Sequence, residues 1–139
     1  MPALESSEYV NDASQGTLTA GASSRLDTAA LIGRWTNTNS APVGIAEIWI
    51  KEEGGELVVR CFGARSPEPS DWGSKPAETY ALAVTSDVAA GFELIYDFGH
   101  QEALVTAIHN RGVLVIHTYH RFREGNERSN FIVKEFFHQ

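Results

Sequence analysis

From Arg34 onward the chain is cut into short runs rich in β-branched and aromatic residues by turn-formers at close, regular spacing, and this punctuation constrains the fold more than any other feature. Runs so short leave no room for the helices of βαβ units and are the signature of an all-β barrel or sandwich. The spacing predicts eight strands, at roughly 34–39, 44–51, 56–64, 77–85, 91–98, 101–109, 113–122 and 129–137. The turns Glu52-Glu53-Gly54-Gly55, Asn110-Arg111-Gly112 and Glu124-Gly125-Asn126 offer the Gly or Asn that tight hairpins need. Consecutive hairpins make a meander, and eight strands in up-and-down order close into an antiparallel β-barrel, which leaves no exposed edge.

One short helical turn is expected ahead of the barrel, capped by Asp27, running through Ala29, Ala30 and Leu31 and stopping at Gly33. Residues 1–26 are rich in Ser, Ala, Thr and Gly without periodicity. Such a segment buries too little apolar surface to offset the entropy of ordering, so a flexible extension is expected. Leu4, Tyr9, Val10 and Leu18 would let it serve as a lid or a swapped arm. Residues 27–139 form the barrel domain on this reading. Between the third and fourth strands, Arg65 to Pro76 reads as an ordered loop across one mouth, because Pro67, Pro69 and Pro76 argue against a central strand.

The 139 residues carry 11 Lys and Arg against 18 Asp and Glu, a formal charge of −7, so a phosphate backbone would meet repulsion and nucleic acid is not expected as a partner. No apolar run approaches the roughly 20 residues of a helical membrane span, and a soluble protein without membrane contact is expected. Cys61 is the only cysteine, which excludes an intrachain disulfide and suits a reducing compartment. The start, Met1 to Gly21, has acids and small polar residues where a signal peptide would have a basic and then an apolar stretch, giving a cytoplasmic expectation.

The segment Gly33-Arg34-Trp35, a Gly-x-Trp at the first strand after a short turn, resembles the opening of the calycin superfamily, the lipocalins and avidins. The resemblance implies that Trp35 closes one end of the barrel and that Arg128, just before the last strand, stacks on it as a cation–π partner. Trp35-Thr36-Asn37-Thr38, Gly44-Ile45, Ser66-Pro67, Asp71-Trp72-Gly73, Phe98-Gly99 and Gly125…Arg128-Ser129-Asn130 are also similar to a group of small bacterial barrel domains with a Trp-Thr-Asn-Thr opening and a Cys-His-Pro…Cys-Asp-Trp-Gly loop. Arg65 and Ser70 stand where that loop has its two cysteines, so any cross-link is lost. The group implies a fold and a cavity, and function has to be argued from the site.

No Gly-rich phosphate loop, Gly-x-Ser-x-Gly elbow or helical His-Glu-x-x-His is present, and no cofactor is implied. His117 and His120 are three residues apart in one strand and so point to opposite faces, which argues against a shared metal ion. A hairpin drawn around Asn110 to Gly112 places Leu104, Thr106 and Ile108 with Leu114, Ile116 and Thr118 on the more apolar face, taken as the interior. That register carries His120 and Phe122 inward, and a one-residue slip reverses it. Arg60 alternates with Leu57, Val59 and Cys61, and either points to solvent or lies inside with a partner such as a ligand carboxylate or enolate. Glu47 is expected to face solvent.

Phe62, Trp72, Tyr80, Tyr96 and Phe98 are the candidate aromatic walls of a ligand site, with Arg60, Thr118 and His120 as its polar groups. The first functional expectation is binding of a small, largely apolar or aromatic molecule in the lumen. The alternative is a cofactor-independent cyclase or isomerase acting on a polyketide-like natural-product intermediate, with Arg60 stabilising negative charge and His120 or Tyr96 moving a proton. A third reading is a barrel with a filled lumen that acts through its outer surface or as a homo-oligomer.

Overall fold

The computed structural model describes residues 26–65, 69–125 and 127–139. Eight strands form one closed antiparallel barrel in sequence order: β1 (Gly33–Asn37), β2 (Ile45–Glu53), β3 (Glu56–Gly63), β4 (Ser70–Tyr80), β5 (Gly91–Asp97), β6 (Gln101–Asn110), β7 (Val113–Phe122) and β8 (Phe131–His138). This is the eight-stranded up-and-down barrel expected from the turn spacing. Of residues 1–26, expected to form a flexible extension serving as a lid or arm, all but Leu26 lie outside the described residues.

The expected helical turn is a single 3-10 turn, Ala29–Leu31; its N-cap is Thr28, which makes no side-chain capping bond, and the expected cap Asp27 stands one residue earlier, where its Oδ1 accepts the Ala29 N–H at 3.0 Å. The turn plugs one end of the barrel, where Leu31 and Trp35 are buried and the Trp35 indole donates to the Leu31 carbonyl at 3.0 Å. Asp27 also bridges to Val88 in the β4–β5 connection, which lays Ala89 into the same plug. Trp35 meets His109 edge-on at 5.7 Å, whereas Arg128 sits over Phe122, 5.5 Å from its ring. The Arg–Trp stack implied by the calycin resemblance is therefore not made. The cause is topological: Arg128 lies in the β7–β8 connection, which an up-and-down barrel places at the opposite mouth from the plug.

Two sequence-based expectations are corrected. The fourth strand begins at Ser70, so Trp72 and Pro76 belong to β4 and not to a loop, and the strand ends at Tyr80 instead of 85. Pro76 is tolerated because β4 pairs with β5 only at Glu78, Thr79 and Tyr80, leaving the Ser70–Ala77 stretch bonded to β3 alone. It is in effect an edge, where a missing N–H disturbs no second ladder.

The second correction concerns β6. The β6–β7 turn has two residues, Arg111 (φ 52°) and Gly112 (φ 82°), so Asn110 pairs with Val113. Two successive positive φ values are the type I′ geometry that matches strand twist. This shifts the register by one residue from the three-residue turn drawn on sequence, and every β6 side chain changes face. Ala103, Val105 and Ala107 point inward and are buried, while Leu104, Thr106 and Ile108 face out. The β7 assignment stands, with Leu114, Ile116, Thr118 and His120 inside. The inward side chains of β6 are small, and the large rings fully buried in the interior are supplied by Trp35, Phe92 and Phe137 on β1, β5 and β8.

Candidate functional site

Register alone lines up the inner wall at the end opposite the plug. Tyr96 on β5 pairs with Ala103, Ala103 with His120, and His120 with Phe131, giving one cross-strand row. Strands lie about 4.8 Å apart, so Tyr96 and His120 stand about 10 Å from each other across a residue that is only a methyl group. One rung deeper the row runs Leu94, Val105, Thr118 and Val133. A single hydroxyl is thus set in an apolar ring.

That hydroxyl, Thr118 Oγ1, is the buried side-chain polar atom without a hydrogen-bond partner among the described residues, and Thr118 is 1% exposed. Burying a hydroxyl without a partner costs about 1–3 kcal/mol, so such an atom needs an explanation.

His120 closes the row above it. Its Nδ1 lies 3.1 Å from the Gln101 side-chain oxygen Oε1, and the tautomer that makes this hydrogen bond carries its proton on Nδ1 and offers the Nε2 lone pair. Phe131 stacks on the imidazole at 4.4 Å. Burial holds the His120 pKa below its ordinary value, partly opposed by the Glu135 carboxylate, so the ring is neutral at pH 7.

The facing wall is aromatic. Tyr96 and Phe98 stack at 5.9 Å, and Trp72 meets both edge-on at 5.4 and 5.2 Å. Trp72 reaches this position because β3 and β4 change register between Cys61 and Phe62 and because Gly63 has no side chain: a Cβ there would lie 2.5 Å from the indole nitrogen. Tyr96 is fixed by its hydroxyl, which accepts the Cys61 N–H at 3.2 Å and donates to the Gly73 carbonyl at 2.7 Å. Burial pushes the phenol well above its ordinary pKa and the Cys61 thiol up to about 12, so neither ionises at neutral pH.

Of the residues expected to form a ligand site, the structure brings Trp72, Tyr96, Phe98, Thr118 and His120 to this end of the barrel. Arg60, Phe62 and Tyr80 are placed elsewhere. Leu57, Val59 and Cys61 take the inward face of β3, which sends Arg60 outside, where it is paired bidentately with Asp71. The guanidinium holds the Asp71 carboxyl below the usual carboxylate range, helped by the Gly73 N–H. Phe62 lies on the outer wall against Trp49, at 4.7 Å, and Tyr80 is half exposed at the outer end of β4. Glu47 also faces outward and accepts the Trp49 indole N–H at 2.6 Å.

Sequence reasoning missed Glu135 and Asn37. The Glu135 carboxylate is buried and accepts the backbone N–H of Gly44 and Ile45 and the Asn37 amide, at 3.0 to 3.1 Å, locking the β1–β2 connection to β8. The signal was present, because Glu135 falls in phase with Val133 and Phe137 on the face of β8 that turns inward. No group of three or more His, Cys, Asp or Glu that could hold a metal ion occurs among the described residues. No described helix is long and apolar enough to cross a membrane. Comparison of the chain with protein-family models, with curated proteins and with solved structures finds no match.

Proposed function

We propose that this is a calycin-like binding protein that holds a small, largely apolar or aromatic molecule at the end of the barrel opposite the 3-10 plug. The carrying observation is the orphan hydroxyl of Thr118, sealed inside an apolar ring one rung below the free Nε2 of a neutral His120. A molecule with a flat apolar body and a hydroxyl would satisfy both groups: it would pack on Trp72, Tyr96 and Phe98, accept from or donate to Thr118, and donate to His120. Ala103, which stands between Tyr96 and His120 in the same row, carries only a methyl group, and a larger side chain there would compete with the ligand. The plugged end, with Leu31 and Trp35 buried together, supports the calycin-like part of the reading.

The cyclase or isomerase alternative invoked Arg60, Tyr96 and His120. Arg60 faces outward, and the Tyr96 hydroxyl already has both a donor and an acceptor partner, so the polar inventory of the site favours binding.

The test is a fluorescence titration of the full chain with 1-naphthol and 2-naphthol, followed through quenching of Trp72, with naphthalene as the hydroxyl-free comparison. Saturable binding that prefers the naphthols, is weakened at least fivefold by Thr118→Val, and is lost in Ala103→Leu supports the proposal. Naphthols that fail to bind up to about 1 mM, or bind equally well to Ala103→Leu, would overturn it.

A further inference from the structure

The β6 register that turns alanines inward also turns large apolar side chains outward. Ile95 pairs with Leu104, Leu104 with Tyr119 and Tyr119 with Ile132, a continuous apolar row across the outer face of β5 to β8. Ile95, Tyr119 and Ile132 are 51%, 43% and 53% exposed. A parallel row nearer the plugged end holds Ile108, Val115 and Phe136, of which Ile108 and Phe136 are about half exposed. The face dips into a depression of about 520 Å³ lined by Ile95, Leu104, Tyr119 and Ile132, which also reaches His120 and Phe131 of the candidate site. Contiguous exposed apolar surface of this kind marks an interaction site.

The charges on this face have a fixed polarity. In the row holding Glu102 and Arg121, the acid is on β6 and the base on β7, with an ion pair of 3.1 Å between them. In the row running Glu93, Thr106, His117 and Lys134, the acid is on β5 and the base on β8. Acids therefore lie on one side of a line between β6 and β7, and bases on the other.

A two-fold axis in the contact plane, parallel to the strands and passing between β6 and β7, exchanges these sides. It sets Glu102 opposite Arg121 of a second copy and Tyr119 against the second copy's Leu104, with Glu93 and Lys134 on the flanks where the barrel wall curves away. A two-fold axis perpendicular to the strands keeps each strand against itself, so it sets acid-bearing β6 on β6 and base-bearing β7 on β7 and forms no opposite-charge pair between Glu102 and Arg121. The face is self-complementary in the isologous sense.

We propose that the outer face of β5–β8 is the interface of a homodimer with its two-fold axis along the strands, centred on Leu104, Tyr119 and the Glu102–Arg121 pair. Strand spacing and rise give the patch a footprint on the order of 500 Å² per copy, at the weak end of specific interfaces, so the dimer is concentration-dependent. The apolar rows supply most of the association, and the charges choose the axis, since exposed ion pairs contribute little on their own.

The test is sedimentation equilibrium of the full chain from about 1 to 500 μM, a range that brackets an interface of this size. The expected mass rises from the 15.2 kDa chain toward twice that value. Tyr119→Asp, at the centre, abolishes the rise. Arg121→Glu and Glu102→Arg each weaken self-association at least tenfold, because each gives the central pair a single sign and sets like charges against each other across the two-fold. An equimolar mixture of those two variants associates again, since the two-fold puts opposite charges face to face, and circular dichroism confirms that each is folded. A wild-type chain that stays monomeric throughout overturns the proposal, including where the face takes up an apolar dye and so serves another partner. Association unaffected by Tyr119→Asp, or a mixture that fails to associate, overturns it equally.

Discussion

The Tyr96 hydroxyl lies 2.7 Å from the Gly73 carbonyl oxygen, across a stretch where β4 and β5 share no backbone ladder. The Tyr96 hydroxyl oxygen in turn accepts the Cys61 N–H at 3.2 Å. The bulge that frees both backbone groups and the phenol that satisfies them form one device: Gly73, at φ 95°, makes the bend, Trp72 is swung onto Gly63, and Tyr96 closes the gap. The aromatic wall and the part of the β4–β5 seam outside the Glu78–Tyr80 ladder therefore share a single oxygen.

Tyr96→Phe keeps the ring and removes that oxygen, leaving a backbone donor and a backbone acceptor unpaired. A loss of about 2 kcal/mol is expected from the cost of orphaned groups. Urea unfolding monitored by circular dichroism measures it, and a change within about 0.5 kcal/mol of zero, the range of ordinary surface substitutions, would show that the bond adds nothing to stability.

Glu135 makes a sharper case, because removing its carboxylate strands several donors at once. Glu135→Ala leaves the N–H groups of Gly44 and Ile45 without their acceptor, and a destabilisation of about 3 kcal/mol or more is expected. Glu135→Gln retains one acceptor oxygen and should lose less. Thermal unfolding of both variants tests the ranking, and an equal loss would mean that the pocket's shape matters and its hydrogen bonds do not.

The strand count and the closure were legible because turn-formers recur at barrel spacing, and the inward face of β7 because Leu114, Ile116 and Thr118 alternate with more polar neighbours. The face of β6 was not. Alanine and valine on one side and leucine, threonine and isoleucine on the other give a polarity contrast that favours the wrong answer, and the correct one depends on a single residue of turn length. β4 was hidden for a different reason, since its proline is acceptable only because the next strand leaves it half unpaired, and pairing extent is not written in local sequence. Arg60 was ambiguous because it alternates with a cysteine and two aliphatics, while the partner that holds it outside, Asp71, lay in what read as a loop.

Thr118→Val replaces a hydroxyl with a methyl of nearly the same shape. With no partner for Oγ1 in the ligand-free barrel, the substitution should raise stability by about 1 kcal/mol. The same variant is expected to bind naphthols more weakly, so stability and affinity move in opposite directions. Differential scanning calorimetry of ligand-free protein reads the first effect, and a lower unfolding temperature would mean that the hydroxyl has a stabilising partner after all.

Cys61 is wholly buried, and its thiol is pushed up to about 12 by desolvation. The thiolate is the reactive form, so native protein at pH 8 should react with Ellman's reagent only as fast as the barrel opens. Denatured protein should react within the mixing time. Equal rates would place the sulfur in contact with solvent and contradict the packing of β3.

His120 gives the barrel a pH dependence whose direction follows from its burial. Its folded pKa lies below the unfolded value near 6.5, so the unfolded chain binds the proton more readily. The contribution of neutral His120 is present in full above pH 6.5 and is lost as pH falls from there through the folded pKa. Wild type should therefore lose stability between pH 7 and pH 5 relative to His120→Gln, a variant that cannot titrate at this position. Naphthol affinity should fall over the same interval, because protonation of Nε2 removes the acceptor offered to the ligand. Unfolding midpoints measured in parallel for the two proteins isolate this residue from the other histidines. Curves that stay parallel across the interval would mean that His120 takes up its proton equally well in the folded and unfolded chain.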